Sequence, residues 1–265
     1  MPYFTTTRGR VFYRHWPTRR PRAALIFAHG FGEHSGLYRR FAEEIGAQGV
    51  DLWALDLRGH GFSDGGRGAF GSIEDLADDL GRLAAIARGH APGLPLALGG
   101  HSLGSLVALW AALDASDDYA ALAISGAPLS PLDWLTDIDA GGGLDLDPAD
   151  LSSDPAYLEQ LAGDPQVFTS ADNADDLAAA FAPAWQRLEA GADRLEVPVL
   201  AVHGARDRIA PLDGVTPWAQ RLPDLRIEVV DGAGHDVLNE VDHRRVADRV
   251  GRFVAVRGDL LARAP

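Results

Sequence analysis

Residues 94–113 read LPLALGGHSLGSLVALWAAL. An apolar run of strand length ends in two glycines, a serine follows at 102, and an apolar run of helix length begins at once with Leu103. The centre, GHSLG at 100–104, matches G-x-S-x-G, the pattern of a nucleophile turn between a strand and a helix. Such a turn forces its serine into strained dihedrals, so small residues are needed two positions to either side. Gly100 and Gly104 supply them. The helix that follows offers free backbone N–H groups at its first turn to a developing oxyanion.

The pattern occurs a second time, as GFSDG at 61–65. With 30 glycines in the chain a chance match carries no information by itself, so the flanks decide. GFSDG follows Arg58-Gly59-His60 and runs into GGRGAFG, which reads as loop on both sides. Asp64 would also set a negative charge beside any oxyanion formed at Ser63. Ser102 is the expected nucleophile, and Ser63 reads as a loop residue bonding its own backbone.

Working outward, short apolar runs alternate with helix-period segments. RVFYRHW (10–16) alternates as a strand of an antiparallel edge pair, while AALIFAHG (23–30), VDLWALDL (50–57), LPLALGG (94–100) and YAALAISG (119–126) read as strands. Between them, residues 37–49, 72–90 and 103–113 carry helical spacing, with Ser72 as N-cap and Asp75 three residues on. Alternation of this kind predicts an α/β fold with a mostly parallel sheet covered on both faces. From 127 to 196 the rhythm changes to Asp-, Ala-, Gly- and Pro-rich sequence with helix-start signals at Asp154-Pro155 and no convincing strand. Strands resume at 197–204 and 225–234, and an amphipathic helix closes the chain near 240–257. The expected organisation is a core of 1–126 and 197–265 interrupted by a helical cap of 127–196.

Composition removes whole classes of chemistry. The 265 residues contain no cysteine, which excludes disulfides, thiolate metal sites and cysteine nucleophiles. All 24 basic residues are arginine, so Schiff-base chemistry and a P-loop lysine are absent from this chain. A net charge of -14 repels nucleic-acid phosphates and anionic lipid head groups, and no nucleic-acid partner is expected. No metal and no cofactor are expected either. The N-terminal stretch has no apolar core of a signal peptide, and the longest apolar runs fall short of the ~20 residues of a spanning helix. A cytoplasmic protein is the expectation.

A serine nucleophile needs a base, and the base an orienting acid. His235, in the tight loop VVDGAGHDVLNE after a late strand, stands where the base belongs. Asp207, in HGARDRIAP just past the strand 197–204, stands where the acid belongs, at the carboxyl edge of the sheet. The early loop HGFGEHS supplies Phe31, whose backbone N–H pairs with that of Leu103 as the expected oxyanion donors.

Taken together, HGFGEHSGLY, LDLRGHGFSDG, GGHSLGS, HGARDRIAP and GAGHDVLNE resemble, in order and spacing, the monoacylglycerol lipase and lysophospholipase branch of the α/β-hydrolase superfamily, the serine aminopeptidase-like hydrolases. The resemblance implies an α/β-hydrolase fold with Ser102, Asp207 and His235 as the triad. It further implies a cap over an acyl pocket, in which Trp134, Leu135, Tyr157 and Phe168 are candidates to bind substrate. The expected partner is a small-molecule ester such as a monoacylglycerol. The turn departs from the family's frequent G-H-S-M-G-G at Leu103 and Ser105, and the cap stretch DIDAGGGLDLDPAD is acidic, without an apolar membrane-docking helix. Lipid-surface contact is therefore not supported. The alternatives are an aminopeptidase or amidase of the same fold, which would need a carboxylate for a free amine, and a non-catalytic binding protein.

Overall fold

The computed structural model describes residues 2–136, 142–171 and 174–262. The acidic, glycine-rich reading of 137–141 lies outside the described residues. Eight strands form the central sheet: β1 (Tyr3–Thr6), β2 (Gly9–Trp16), β3 (Ala23–Ala28), β4 (Val50–Leu55), β5 (Leu96–His101), β6 (Leu122–Ser125), β9 (Val199–Gly204) and β10 (Leu225–Val230). A small pair, β7 (Leu144–Asp145) and β8 (Ser170–Ala171), stands apart. The sheet order is β1-β2-β4-β3-β5-β6-β9-β10. Pairing is parallel from β4 onward, and β2 joins both β1 and β4 antiparallel, so the alternating N-terminal strand does belong to an edge pair.

The inner strands β3, β4, β5, β6 and β9 are buried along their whole length, as continuous apolar runs require when both faces are covered. Two helices, α2 (Ile73–His90) and α3 (Leu103–Asp114), pack on one face through Leu76, Leu80, Leu83 and Leu106. On the other face lie α1 (Arg39–Gly46) and α8 (His243–Ala262), through Phe41, Ile45, Val246 and Val250. Ser72 Oγ accepts from the Asp75 amide at 3.1 Å, so the start of α2 is capped as its sequence predicts. Burying each large aliphatic side chain contributes about 1.5–3 kcal/mol, against about 0–1 kcal/mol for an exposed ion pair. The apolar layers, rather than the exposed Arg–Asp pairs, therefore fix where the strand-end loops sit.

Between β6 and β9 the chain forms α4 (Asp133–Thr136), α5 (Pro148–Leu151), α6 (Pro155–Gly163) and α7 (Ala174–Gly191). Asp154 caps α6 by accepting from the Ala156 amide at 3.0 Å, with Pro155 in the first turn, where a missing N–H costs nothing. The β7–β8 pair is a difference from the reading of this segment as strandless. Two-residue strands carry no periodicity, so nothing in the sequence marks them. The segment is tied to the core at Gly32: Phe168 N–H donates to Gly32 C=O at 3.0 Å, and a Cβ at Gly32 (φ +78°) would lie 1.8 Å from Phe168 C=O.

Candidate active site

Ser102 ends the β5 turn and caps α3, with φ 50° and ψ -118°. It is the one non-glycine residue at positive φ among those described. A conformation of that kind costs about 1–3 kcal/mol and persists only when its surroundings dictate it. They do so here at close quarters. A Cβ on Gly100 would stand 2.1 Å from Gly104 C=O, and one on Gly104 2.1 Å from Ala28 C=O. Ser102 N–H donates to Ser125 C=O at 2.9 Å. Ser105 Oγ, fully buried, bonds both Gly100 C=O (3.0 Å) and Ser125 C=O (3.1 Å), so this departure from the family's glycine stitches the turn to β6.

Asp207 and His235 come from two loops at the carboxyl end of the sheet and meet. His235 Nδ1 lies 2.8 Å from Asp207 Oδ2. The other carboxylate oxygen, Oδ1, accepts from the amides of Ile209 (3.0 Å) and Ala210 (2.8 Å), which fixes its orientation. The neighbouring Arg208 approaches Asp150 at 3.5 Å. Burial works to raise the Asp207 carboxyl, but the charges and N–H bonds of His235 and His203 outweigh it and hold it far below the usual carboxylate range. Burial likewise works to lower His235. The charge and hydrogen bond of Asp207, with the charge of Asp236, outweigh it, and the imidazole stands above its ordinary 6.5.

Ser102 and His235 border one cavity of about 30 Å³, together with Gly30, Phe31, Phe168 and Ile209. Among the described residues Ser102 Oγ has no hydrogen-bond partner; in free enzymes the nucleophile–base bond is often long and tightens on binding. Nor do the amides of Phe31 and Leu103 find an acceptor among the described residues. Leu103 opens α3, where N–H groups have no intrahelical partner. Of the four cap candidates, Phe168 lines this cavity, edge-on to Phe31 with ring centroids 5.2 Å apart. The others sit elsewhere. Trp134 donates its indole N–H to Ile209 C=O at 2.7 Å and borders a separate groove with Pro128 and Pro211. Leu135 is packed in the core beneath α7, and Tyr157 is buried with its phenol against Asp236 and Glu33.

Three of the side chains at the site were given no role by the sequence. His203 Nε2 lies 2.7 Å from Ala210 C=O and 3.1 Å from Asp207 Oδ2, a second support for the acid. Its place at a strand end four residues before Asp207 was the one clue. Glu33 and Asp236 are buried beside the cavity, and with His101 they bring potential ligand atoms within 4.8 Å of one another. That spacing alone would suit a cation, but hydrogen bonds occupy most of the carboxylate oxygens. Glu33 Oε2 accepts from Gly30 N–H (2.7 Å) and Tyr38 O–H (2.6 Å), and Asp236 Oδ2 from Tyr157 O–H and Asn239 Nδ2 (3.1 Å).

A mostly parallel eight-stranded sheet, helices on both faces and a strained serine at a strand–helix turn define an α/β-hydrolase, and the chain is a hydrolase of that fold. Within it, the chain belongs to the family described as "Serine aminopeptidase, S33", whose model matches residues 19–242. A monoacylglycerol lipase of Mycolicibacterium smegmatis is 30% identical over 260 residues, 92% of each chain. The crystal structure of Paleococcus ferrophilus monoacylglycerol lipase superposes with a TM-score of 0.79 at 25% identity, covering 93% of this chain and 99% of that one. A soluble variant of the Saccharomyces cerevisiae monoglyceride lipase, at 21% identity, shares the fold with a TM-score of 0.81 over 97% and 94% of the two chains. Among the described residues no helix is long and apolar enough to cross a membrane.

Proposed function

We propose that the chain is a serine-dependent carboxylic ester hydrolase working through an acyl-enzyme on monoacylglycerols or similar medium-chain esters. The observation that carries this is the His235–Asp207 pair at 2.8 Å bordering the same cavity as the strained Ser102. In the proposed cycle, neutral His235 takes the Ser102 proton as Oγ attacks the acyl carbonyl. The Phe31 and Leu103 amides hold the oxyanion. Protonated His235 then gives its proton to the leaving alcohol, and water, activated by the same imidazole, releases the acid. Asp207 orients the ring and stabilises its charged form.

Segment 127–196 acts in this reading as a cap. A cavity of about 30 Å³ has room for water and not for an acyl chain. The cap segment around Phe168 therefore moves off Gly32 and Phe31 when substrate enters. An ester is favoured over a peptide N-terminus because, among the described residues, Glu33 is the one acid lining the cavity, and its oxygens are already engaged by Gly30, Tyr38 and Tyr157. The test sets p-nitrophenyl esters of graded chain length and monoacylglycerols beside aminoacyl-nitroanilides, for the wild type and Ser102→Ala. Ester turnover that peaks at medium chains and vanishes in the variant is expected. Preferred cleavage of the anilides, or ester turnover undiminished in Ser102→Ala, would overturn the reading.

A further inference from the structure

Behind the cavity, four segments converge on one buried polar cluster. The early loop brings Glu33 and, five residues on, Tyr38; α6 brings Tyr157; the loop after β10 brings Asp236 and Asn239; the end of β5 brings His101. Protons can be counted across it. Tyr157 has one phenolic proton and two carboxylate neighbours. Asp236 Oδ2 makes the short contact, and Glu33 Oε1 lies at 3.3 Å. The phenolic proton belongs to the shorter bond. Glu33 Oε1 then faces the lone pairs of the Tyr157 oxygen, an arrangement that is attractive only if Oε1 carries a proton of its own. The remaining oxygen, Oε2, receives Gly30 N–H and Tyr38 O–H and needs none.

We propose that Glu33 is a neutral carboxylic acid in the working enzyme, donating through Tyr157 to Asp236, and that this chain positions the oxyanion loop while keeping negative charge away from it. The proposal rests on the reading of Ser102 and Phe31 given above. The charge argument follows from position. Glu33 is two residues past Phe31, and it bonds the amide of Gly30, where a Cβ would come within 3.3 Å of Ser102 Cβ. An ionised carboxylate there, itself buried, would oppose the negative charge that develops on the substrate oxygen. The neutral acid keeps the hydrogen bonds without the charge.

The surroundings agree. Burial, and then the charge of Asp236, push the Glu33 carboxyl well above its ordinary range, against the opposing bonds from Tyr38 and Gly30. Burial also pushes both phenols, Tyr38 and Tyr157, well above theirs, so each remains a donor. His101 is brought down to about 4 by burial, against the charge of Asp236, and stays uncharged at neutral pH. Among the described residues, the end of β5 therefore sets no cation against Glu33 to draw its proton off. His235, whose pKa stands above its ordinary value against the effect of burial, carries positive charge below that pKa, and Asp207 at 2.8 Å is its direct counter-charge.

Infrared spectroscopy of the intact wild-type enzyme tests this without a variant. At neutral pH we expect a protonated-carboxyl C=O band that moves when the protein carries carboxyl-labelled glutamate. No such band would overturn the proposal. Glu33→Gln, which copies the neutral acid's donor and acceptor, should lose the band and retain at least about tenfold more kcat/KM than Glu33→Ala, which also removes the bonds to Gly30 and Tyr157. A fall of about a hundredfold or more at neutral pH in a folded Glu33→Gln enzyme would mean that the charge is needed, and would equally overturn it. If Ser102→Ala leaves turnover intact, the site reading fails whatever the spectrum shows. A missing band with Ser102→Ala inactive removes the Glu33 proposal alone.

Discussion

The two G-x-S-x-G loops of this chain put the same five-residue pattern into opposite surroundings. At 100–104 the turn joins a fully buried strand to a helix, twists Ser102 to φ 50° and leaves its hydroxyl at a cavity with no protein partner among the described residues. At 61–65 the backbone consumes the hydroxyl. Ser63 Oγ donates to Asp56 C=O at 2.5 Å and accepts from Phe12 N–H at 2.9 Å, locking the loop onto β2. Asp64, beside it, bonds the amide and guanidinium of Arg10. One serine is held in strain with its oxygen free, and the other is relaxed with its oxygen spent. The pattern selects glycines that permit a sharp turn, and the flanking elements decide what the turn presents.

That contrast can be broken by substitution. Ser102→Ala should reduce ester kcat by about 10⁴-fold or more, read against Ser63→Ala, which should stay within about twofold of the wild type. Asp207→Asn should cost about 10³–10⁴-fold, since the amide cannot hold the His235 tautomer. Gly104→Ala probes the turn itself. Its methyl would overlap the Ala28 carbonyl, so the expected outcome is a strongly lowered Tm and little soluble protein. The pH profile sharpens the account further. The base must be neutral to act, so activity falls as pH drops through the His235 pKa. Because Asp207 holds that pKa above 6.5, the acid limb of kcat/KM should have its midpoint above 6.5 and should move to lower pH in the residual activity of Asp207→Asn. The smallest effect belongs to Ser63→Ala, about 1 kcal/mol of stability by denaturant melts, from the lost bonds to Phe12 and Asp56.

Much of the core was legible because its signals are local. The period of 72–90, the cap at Ser72 and the unbroken apolar runs of β3 to β6 and β9 follow from what each face must bury. Ser102 was legible for the same reason, since the strand before it and the helix after it can both be read. Asp207 and His235 were placed by chain order and loop position, and the chain does bring them together. What escaped depends on convergence from distant segments. Tyr157 read as an aromatic of the cap pocket, yet its phenol is drawn to Glu33 and Asp236, 124 and 79 residues away, and nothing in its own neighbourhood signals that. Trp134 found Ile209 C=O across a similar gap. In an Asp-, Gly- and Ala-rich segment the periodicity is too weak to say which face an aromatic takes.

The central claim is that Ser102, and not Ser63, is the nucleophile, activated by His235 and Asp207. It is tested most directly by labelling the wild-type enzyme with a fluorophosphonate and mapping the modified peptide by mass spectrometry. The account predicts one adduct per chain, on the peptide containing Ser102, formed more slowly below the pKa of His235. An adduct on Ser63, or stoichiometric labelling that persists in Ser102→Ala, would contradict it.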